Sequence, residues 1–281
     1  MSLRPALAIV LFCLASAAAA EEYTWENFSK PSGLQLNGNA KLSGSDDGEA
    51  TLKLTSPASR KKGSVFTTFG VDNTGFHSAF AFRVRESGGP TRDCKGEKGG
   101  EGLAFVLQGE SPEALGNGGG GLGYAGIADS LAIEFDTFCN EGYDDLSSNH
   151  IAVVAAGVEL ASAAIPRDVD DGNVRYVWID YDGVRLEVRM SGNLERPGDP
   201  DLSVAIDVPA IVGGTVCCAG FTASTGEEIV GKHLLLNWTY LEQPSETPTY
   251  TADSDRYRTA VIRPVCRNRV GTSSVPSPVA R

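Results

Sequence analysis

Short runs in which apolar and polar residues alternate, each closed by a turn signal, constrain this chain more than any other feature. In EATLKLT, Leu52 and Leu54 share a face, and in HSAFAFRVR, Phe80, Phe82 and Val84 alternate with Ala81, Arg83 and Arg85. RLEVRMS repeats the pattern, with Leu186, Val188 and Met190 inward and Arg185, Glu187 and Arg189 outward. GLQLNGNAKL, LAFVLQ, LAIEFD, IAVVAAG, NVRYVWIDYD, VCCAGFTAS and HLLLNWTYLE read as further strands. LAFVLQ is mostly apolar, as expected of a strand covered on both faces. A period of two places successive side chains on opposite faces of a sheet, and no helical period is sustained anywhere. The expectation is an all-β chain: a two-sheet antiparallel β-sandwich, in which each sheet covers the other's apolar face. Its 281 residues suffice for one large domain of this kind.

One strand leads into an unusual loop: LAIEFDTFCNEGYDDLSSNH, residues 131–150. Leu131, Ile133 and Phe135 share a face, which leaves Glu134, Asp136 and Phe138 on the other. Two carboxylates side by side repel unless a cation neutralises them. Asn140, Asp144, Asp145 and His150 then add oxygen donors and one imidazole. Oxygen ligands suit calcium, while a neutral imidazole beside carboxylates suits manganese or another first-row divalent ion. Two ions sharing the central carboxylates satisfy both donor types; a solvated acidic loop is the alternative.

The formal net charge of −12 excludes nucleic acid and anionic membrane surfaces as natural partners. Residues 1–20, MSLRPALAIVLFCLASAAAA, carry an early arginine, a short apolar run and a small-residue end, and read as a secretory signal. No segment is long enough to span a bilayer. A secreted chain would keep Cys94, Cys139, Cys217, Cys218 and Cys266, an odd number. Cys217 and Cys218 are neighbours on one strand and therefore face opposite ways, one of them as a small core residue. His77 and His233 stand in strands without an evident acidic or hydroxyl partner and read as ordinary surface or core histidines. ESGGPTRDCKGEKGGEG is too polar and glycine-rich to be packed core, and NGGGGLGYAGI reads as a binding loop wedged between strands. Residues 243–281, rich in Pro, Ser, Thr and Arg, read as a tail outside the core. Asn27-Phe28-Ser29 and Asn237-Trp238-Thr239 have the form of glycosylation acceptors, the second usable only if Asn237 points outward.

ENFSKPSGLQLNGNA, GEGLAFVLQ, GGGGLGYAGI, IEFDTFCN…DDLSSNH, GFTASTG and HLLLNWTYLE together resemble the L-type (legume-type) lectin family, over residues 21–242. The resemblance implies a concanavalin A-like jelly roll. The family's metal pattern is Glu, then Asp at two, an aromatic at four, Asn at six, Asp at eleven and His at sixteen, met here by Glu134, Asp136, Phe138, Asn140, Asp145 and His150. By that resemblance Glu134, Asp136, Asp145 and His150 hold a manganese-type ion. Asp136, Asp145, the Asn140 side chain and the Phe138 carbonyl hold calcium. The spacing selects Asp145 over Asp144.

The same resemblance implies glycan or glycoprotein partners. Glu101 stands where the family's usual Asp accepts hydrogen bonds from sugar hydroxyls, and Gly120 supplies a backbone N–H. Asn140 supplies an amide N–H, Phe138 an apolar platform, and Glu227 and Glu228 a specificity loop. It also brings the Cys94 and Cys139 loops to one end of the sandwich, where a bridge between them would tie the carboxylate loop to the metal loop. Cys266 could pair with a strand cysteine or another chain, and family members often form homo-oligomers. A jelly-roll glucanase needs a second glutamate in register after Glu134-Phe135-Asp136, but the next is Glu141 in the loop, so no enzyme activity is expected. A lectin-like protein that has lost its sugar site is the other alternative.

Overall fold

The computed structural model describes residues 20–46, 48–140, 147–166 and 168–242. Sixteen strands run through them. The first eight are β1 (Glu22–Trp25), β2 (Leu34–Gly38), β3 (Lys41–Asp46), β4 (Glu49–Lys53), β5 (Lys62–Thr67), β6 (Val71–Asp72), β7 (Phe76–Gly88) and β8 (Gly102–Gln108). They continue with β9 (Ser130–Asp136), β10 (His150–Ala155), β11 (Val158–Ala164), β12 (Arg175–Tyr181) and β13 (Arg185–Ser191). The last three are β14 (Leu202–Ala205), β15 (Val216–Ser224) and β16 (Val230–Glu242). One sheet has the order β14-β13-β12-β7-β16-β4-β3, with β1 also on β16; the second has β11-β10-β9-β8-β15-β5-β2, with β6 also on β15. Every pairing is antiparallel. The two-sheet sandwich expected from the alternation is the observed fold. Among the described residues the one α-helix is short: α1 (Val208–Val212), capped by the Asp207 carboxylate, which accepts from the Ala210 N–H.

Inward positions from both sheets meet in an aromatic centre. Phe80 of β7 packs edge-on against Phe221 of β15 at 4.8 Å and Phe135 of β9 at 5.8 Å, and Phe221 packs on Trp238 of β16 at 5.1 Å. All are essentially buried, and truncating one of these rings to alanine would cost about 3–5 kcal/mol. Leu131, Ile133 and Phe135 join this core, and Cys217 is the small residue beside it.

The second sheet is also apolar on its outer face. Phe66, Ala104, Val106, Ala132, Ala152, Val154 and Cys218 form a separate cluster with Leu122, Tyr124 and Ile127. Those last three come from the segment that includes the glycine run, which folds back over the sheet. Both faces of β8 and β9 are thereby covered, and every residue of the two strands is buried.

Several readings need correction. The polar stretch before β8 is packed at its end: Gly99, Gly100 and Glu101 are buried. A Cβ at Gly99 would lie 1.6 Å from the Thr137 carbonyl oxygen, so only glycine permits this approach of two backbones. Arg189 faces outward but is buried, because its guanidinium pairs with Asp180 (2.8 Å) and Glu187 (2.6 Å). His77 has an acidic partner after all, Asp180 at 2.5 Å, and the buried His233 contacts the Thr55 hydroxyl at 2.6 Å. Asp180 arrives from the neighbouring strand β12 and Thr55 from the loop after β4, both distant in sequence. Trp238 points inward, so Asn237 takes the outward face with intermediate exposure, while Asn27 is exposed. Among the described residues no helix is long and apolar enough to cross a membrane.

Candidate functional site

The candidate residues gather at one end of the second sheet, and backbone conformation does most of the placing. Glu101 immediately precedes β8 with φ +60°, a left-handed conformation uncommon for a residue with a side chain. Its carbonyl accepts from the Thr137 N–H at 2.8 Å, which locks the turn onto the end of β9. The side chain is 3 % exposed. Its Oε1 lies 2.5 Å from where a Cβ on Gly226 would stand and 3.9 Å from the same point on Gly119. The carboxylate therefore occupies a slot between two loops, one before β9 and one after β15, that are glycine where they face it.

Asn140 reaches the same place from the loop after β9. A Cβ on Gly120 would lie 2.7 Å from Asn140 Oδ1 and 3.0 Å from Cγ, so the amide rests on bare glycine backbone. The glycine run forms one 3-10 turn, Gly119–Gly121, fixed from both sides. Ser224 Oγ donates to the Gly119 carbonyl at 2.6 Å, and Lys62 Nζ donates to the Gly116 carbonyl at 2.6 Å. No hydrogen bond to another described residue uses the Gly120 N–H. Phe138 is 5 % exposed, and its N–H donates to Asp136 Oδ1 at 2.7 Å.

A disulfide joins Cys94 to Cys139, with Cα atoms 5.3 Å apart, and ties the Glu101 loop to the Asn140 loop. The neighbouring Asp93 carboxylate accepts from the N–H groups of Glu97 (2.8 Å), Lys95 (2.9 Å) and Cys139 (3.2 Å). Burial works against its charge, yet those bonds and one from Ser148 hold the carboxyl below its ordinary range. Cys217 is free and buried. Cys218 is disulfide-bonded, and the pairing expected for Cys266 lies outside the described residues.

Glu134, Asp136 and His150 share the outer face of the second sheet, with His150 directly opposite Asp136 across the β9–β10 ladder. His150 Nδ1 is 2.9 Å from the Ser147 carbonyl. A carbonyl only accepts, so Nδ1 carries the proton in the neutral ring and Nε2 keeps a lone pair, the tautomer a metal-ligating histidine needs. The Tyr124 hydroxyl donates to Glu134 Oε1, a partner that sequence reading missed. Asp145 and Asp144 lie outside the described residues. Among the described residues no three His, Cys, Asp or Glu side chains converge as a metal site.

The loop that carries Gly226, Glu227 and Glu228 lies beside Glu101. Glu227 pairs with Arg60, both about 70 % exposed, and Glu228 accepts from the Thr91 hydroxyl at 2.5 Å. Arg60, Lys61 and Lys62 were not singled out from the sequence, although no other run of three consecutive cations occurs in it. They line a depression of about 370 Å³ with Gly119, Thr225, Gly226 and Glu227.

The legume lectin domain family matches residues 20–255. The L-type lectin-domain containing receptor kinase VIII.1 of Arabidopsis thaliana is 30 % identical over 243 residues, covering 77 % of this chain and 31 % of that protein. The chain spans about a third of the length of such curated relatives. Among solved structures, basic winged bean lectin with Tn-antigen superposes with a TM-score of 0.65 at 21 % identity, covering 79 % of this chain and 98 % of that one. Arcelin-5, a lectin-like defense protein from Phaseolus vulgaris, gives 0.62 at 20 % identity, covering 80 % and 98 %.

Proposed function

The chain belongs to the legume lectin domain family, and from that premise we propose that it is a secreted, non-catalytic, metal-dependent carbohydrate-binding protein. The observation that carries this reading is the meeting of Glu101, the Gly119–Gly120 backbone, Asn140 and Gly226 from four loops at one end of the sandwich. A sugar offers hydroxyls and weakly apolar C–H faces. Glu101 accepts from two hydroxyls, the N–H of Gly120 and the amide of Asn140 donate, and Phe138 contributes apolar ring surface. Glu227 and Glu228 select among sugars from the rim. Residues 1–20 are removed on export, residues 21–242 form the binding domain, and residues 243–281 stand outside it.

The donor set fits two cations. Glu134, Asp136, Asp145 and His150 would hold a manganese-type ion; Asp136, Asp145, Asn140 and the Phe138 carbonyl would hold calcium. The Nδ1–H tautomer of His150 and the two carboxylates on one sheet face support this assignment. The ions would supply rigidity: with its oxygen turned to calcium, Asn140 keeps its N–H groups for the ligand. The test is a glycan array probed with the full chain, with calcium and after exhaustive chelation. Calcium-dependent binding is the expected result, and binding that survives confirmed metal loss would refute the brace.

One observation favours a second reading, a family member without sugar affinity. Glu101 is one methylene longer than the family's Asp, in a site where ~1 Å matters. An array silent under both conditions would establish it.

A further inference from the structure

The depression beside Glu101 has a chemistry that a neutral sugar does not call for. Of its lining residues, Arg60, Lys61 and Lys62 are cations and only Glu227 is an anion, in a chain of net charge −12. The cations are held in place. Arg60 turns the chain with φ +54°, its N–H donating to the Gly226 carbonyl at 2.8 Å and its guanidinium pairing with Glu227. Lys61 and Thr225 are bound reciprocally: the Lys61 N–H donates to Thr225 Oγ1 at 2.8 Å, and the Thr225 N–H donates to the Lys61 carbonyl at 2.8 Å.

That turn explains why three successive residues serve one wall, since on a regular strand neighbours would face opposite ways. Lys62 spends one of its three ammonium hydrogens on the Gly116 carbonyl. Lys61 makes no side-chain hydrogen bond or ion pair with another described residue. The exposed Arg60–Glu227 pair leaves most of the guanidinium donors for a second acceptor, and such a pair is weak enough to rearrange around one. The depression shares Gly119 and Gly226 with the Glu101 slot, so a group seated there lies next to whatever Glu101 holds.

We infer that this depression is an anionic subsite, which receives a carboxylate or sulfate group on the sugar residue adjoining the one at Glu101. The inference rests on the carbohydrate reading above and names the class of glycan: uronic acid-containing or sulfated rather than neutral. Its size, near the lower end of the ~300–1,000 Å³ usual for small-ligand sites, admits one such residue.

The test measures affinity of the full chain, in calcium, for matched oligosaccharides that differ only in charge. Uronic acid oligosaccharides are compared with their methyl esters, and sulfated ones with their unsulfated parents. At low salt the acidic member of at least one pair binds about 3- to 10-fold tighter, and the advantage shrinks in 0.5 M NaCl (an illustrative ~4 Å Debye length). Which pair shows it identifies carboxylate or sulfate as the group received. Lys61→Gln removes most of the advantage without changing affinity for the neutral member, and Lys61→Arg retains it. Equal affinity across both pairs, with neutral binding intact, overturns the subsite alone, as does an undiminished advantage in Lys61→Gln. No binding to any glycan overturns both the subsite and the carbohydrate reading.

Discussion

Acidification should destabilise this protein through one histidine, and by an amount the structure sets. His233 lies on β16, fully buried under the turn that carries Gly100 and Glu101. The Thr55 hydroxyl donates its single hydrogen to the Gly231 carbonyl at 2.9 Å, so it can only accept from His233 Nδ1–H. That bond fixes a proton on Nδ1, and burial disfavours a second on Nε2. Burial pushes its pKa down to about 3, with the Gly100 backbone the one opposing influence. In the unfolded chain the ring takes up a proton near pH ~6.5. The folded state resists until about pH 3. Stability from this group is therefore complete above the unfolded value and is lost as pH falls through the window between the two. Between pH ~7.5 and ~4.5 the loss approaches about 3 kcal/mol, a large share of the ~5–15 kcal/mol typical of a domain. Many carboxylates titrate in the same range, so the measurement is a difference: urea unfolding of the wild type and of His233→Asn at both pH values. The variant keeps a donor for Thr55 but nothing that protonates. Its pH-dependent loss should be smaller than the wild type's by about 3 kcal/mol. Matching losses in the two proteins would refute the assignment.

Other expectations follow from the loops around the site. The Cys94–Cys139 bridge closes a loop with a sequence separation of 45, so the double serine variant should lose about 4 kcal/mol of unfolding free energy, read by denaturant titration. Gly120→Ala drives a methyl group against the Asn140 amide; glycan affinity should fall at least ~10-fold in array or calorimetric binding while stability changes by less than ~1 kcal/mol. Burial pushes the Cys217 thiol up to about 12, so mass spectrometry after native alkylation at pH ~8 should find it unmodified, and labelled only after unfolding.

Local pattern made the strands legible. Leu131, Ile133 and Phe135 face the core because period-two alternation in a half-polar strand admits one register. The same alternation put Glu134 and Asp136 on one face, and His150 opposite Asp136 is a pairing that the loop length alone could not give. What the sequence hid was long-range. Nothing near His77 announces Asp180, and nothing near Arg189 announces that an ion-pair network will bury it. Glu134 looked like a bare ligand, but Tyr124 from the folded-back glycine segment reaches it. The three cations at 60–62 drew no notice in the sequence, because only the folded chain brings their turn to the border of the Glu101 slot.

The position of β16 has a consequence for how the chain is made. It is an interior strand of its sheet, pairing with β1, β4 and β7, yet among the described residues it is the last strand in chain order. Roughly 140 residues separate the end of β7 from its start, which at ~5–20 residues per second is about 7–28 s of ribosome time. Through that interval one long edge of β7, with Phe80 and Phe82 beside it, waits without its partner. Such an edge is a template for the wrong chain. The nascent protein should therefore depend on a holdase, or on slow translation being followed by rapid closure, far more than its finished sandwich would suggest.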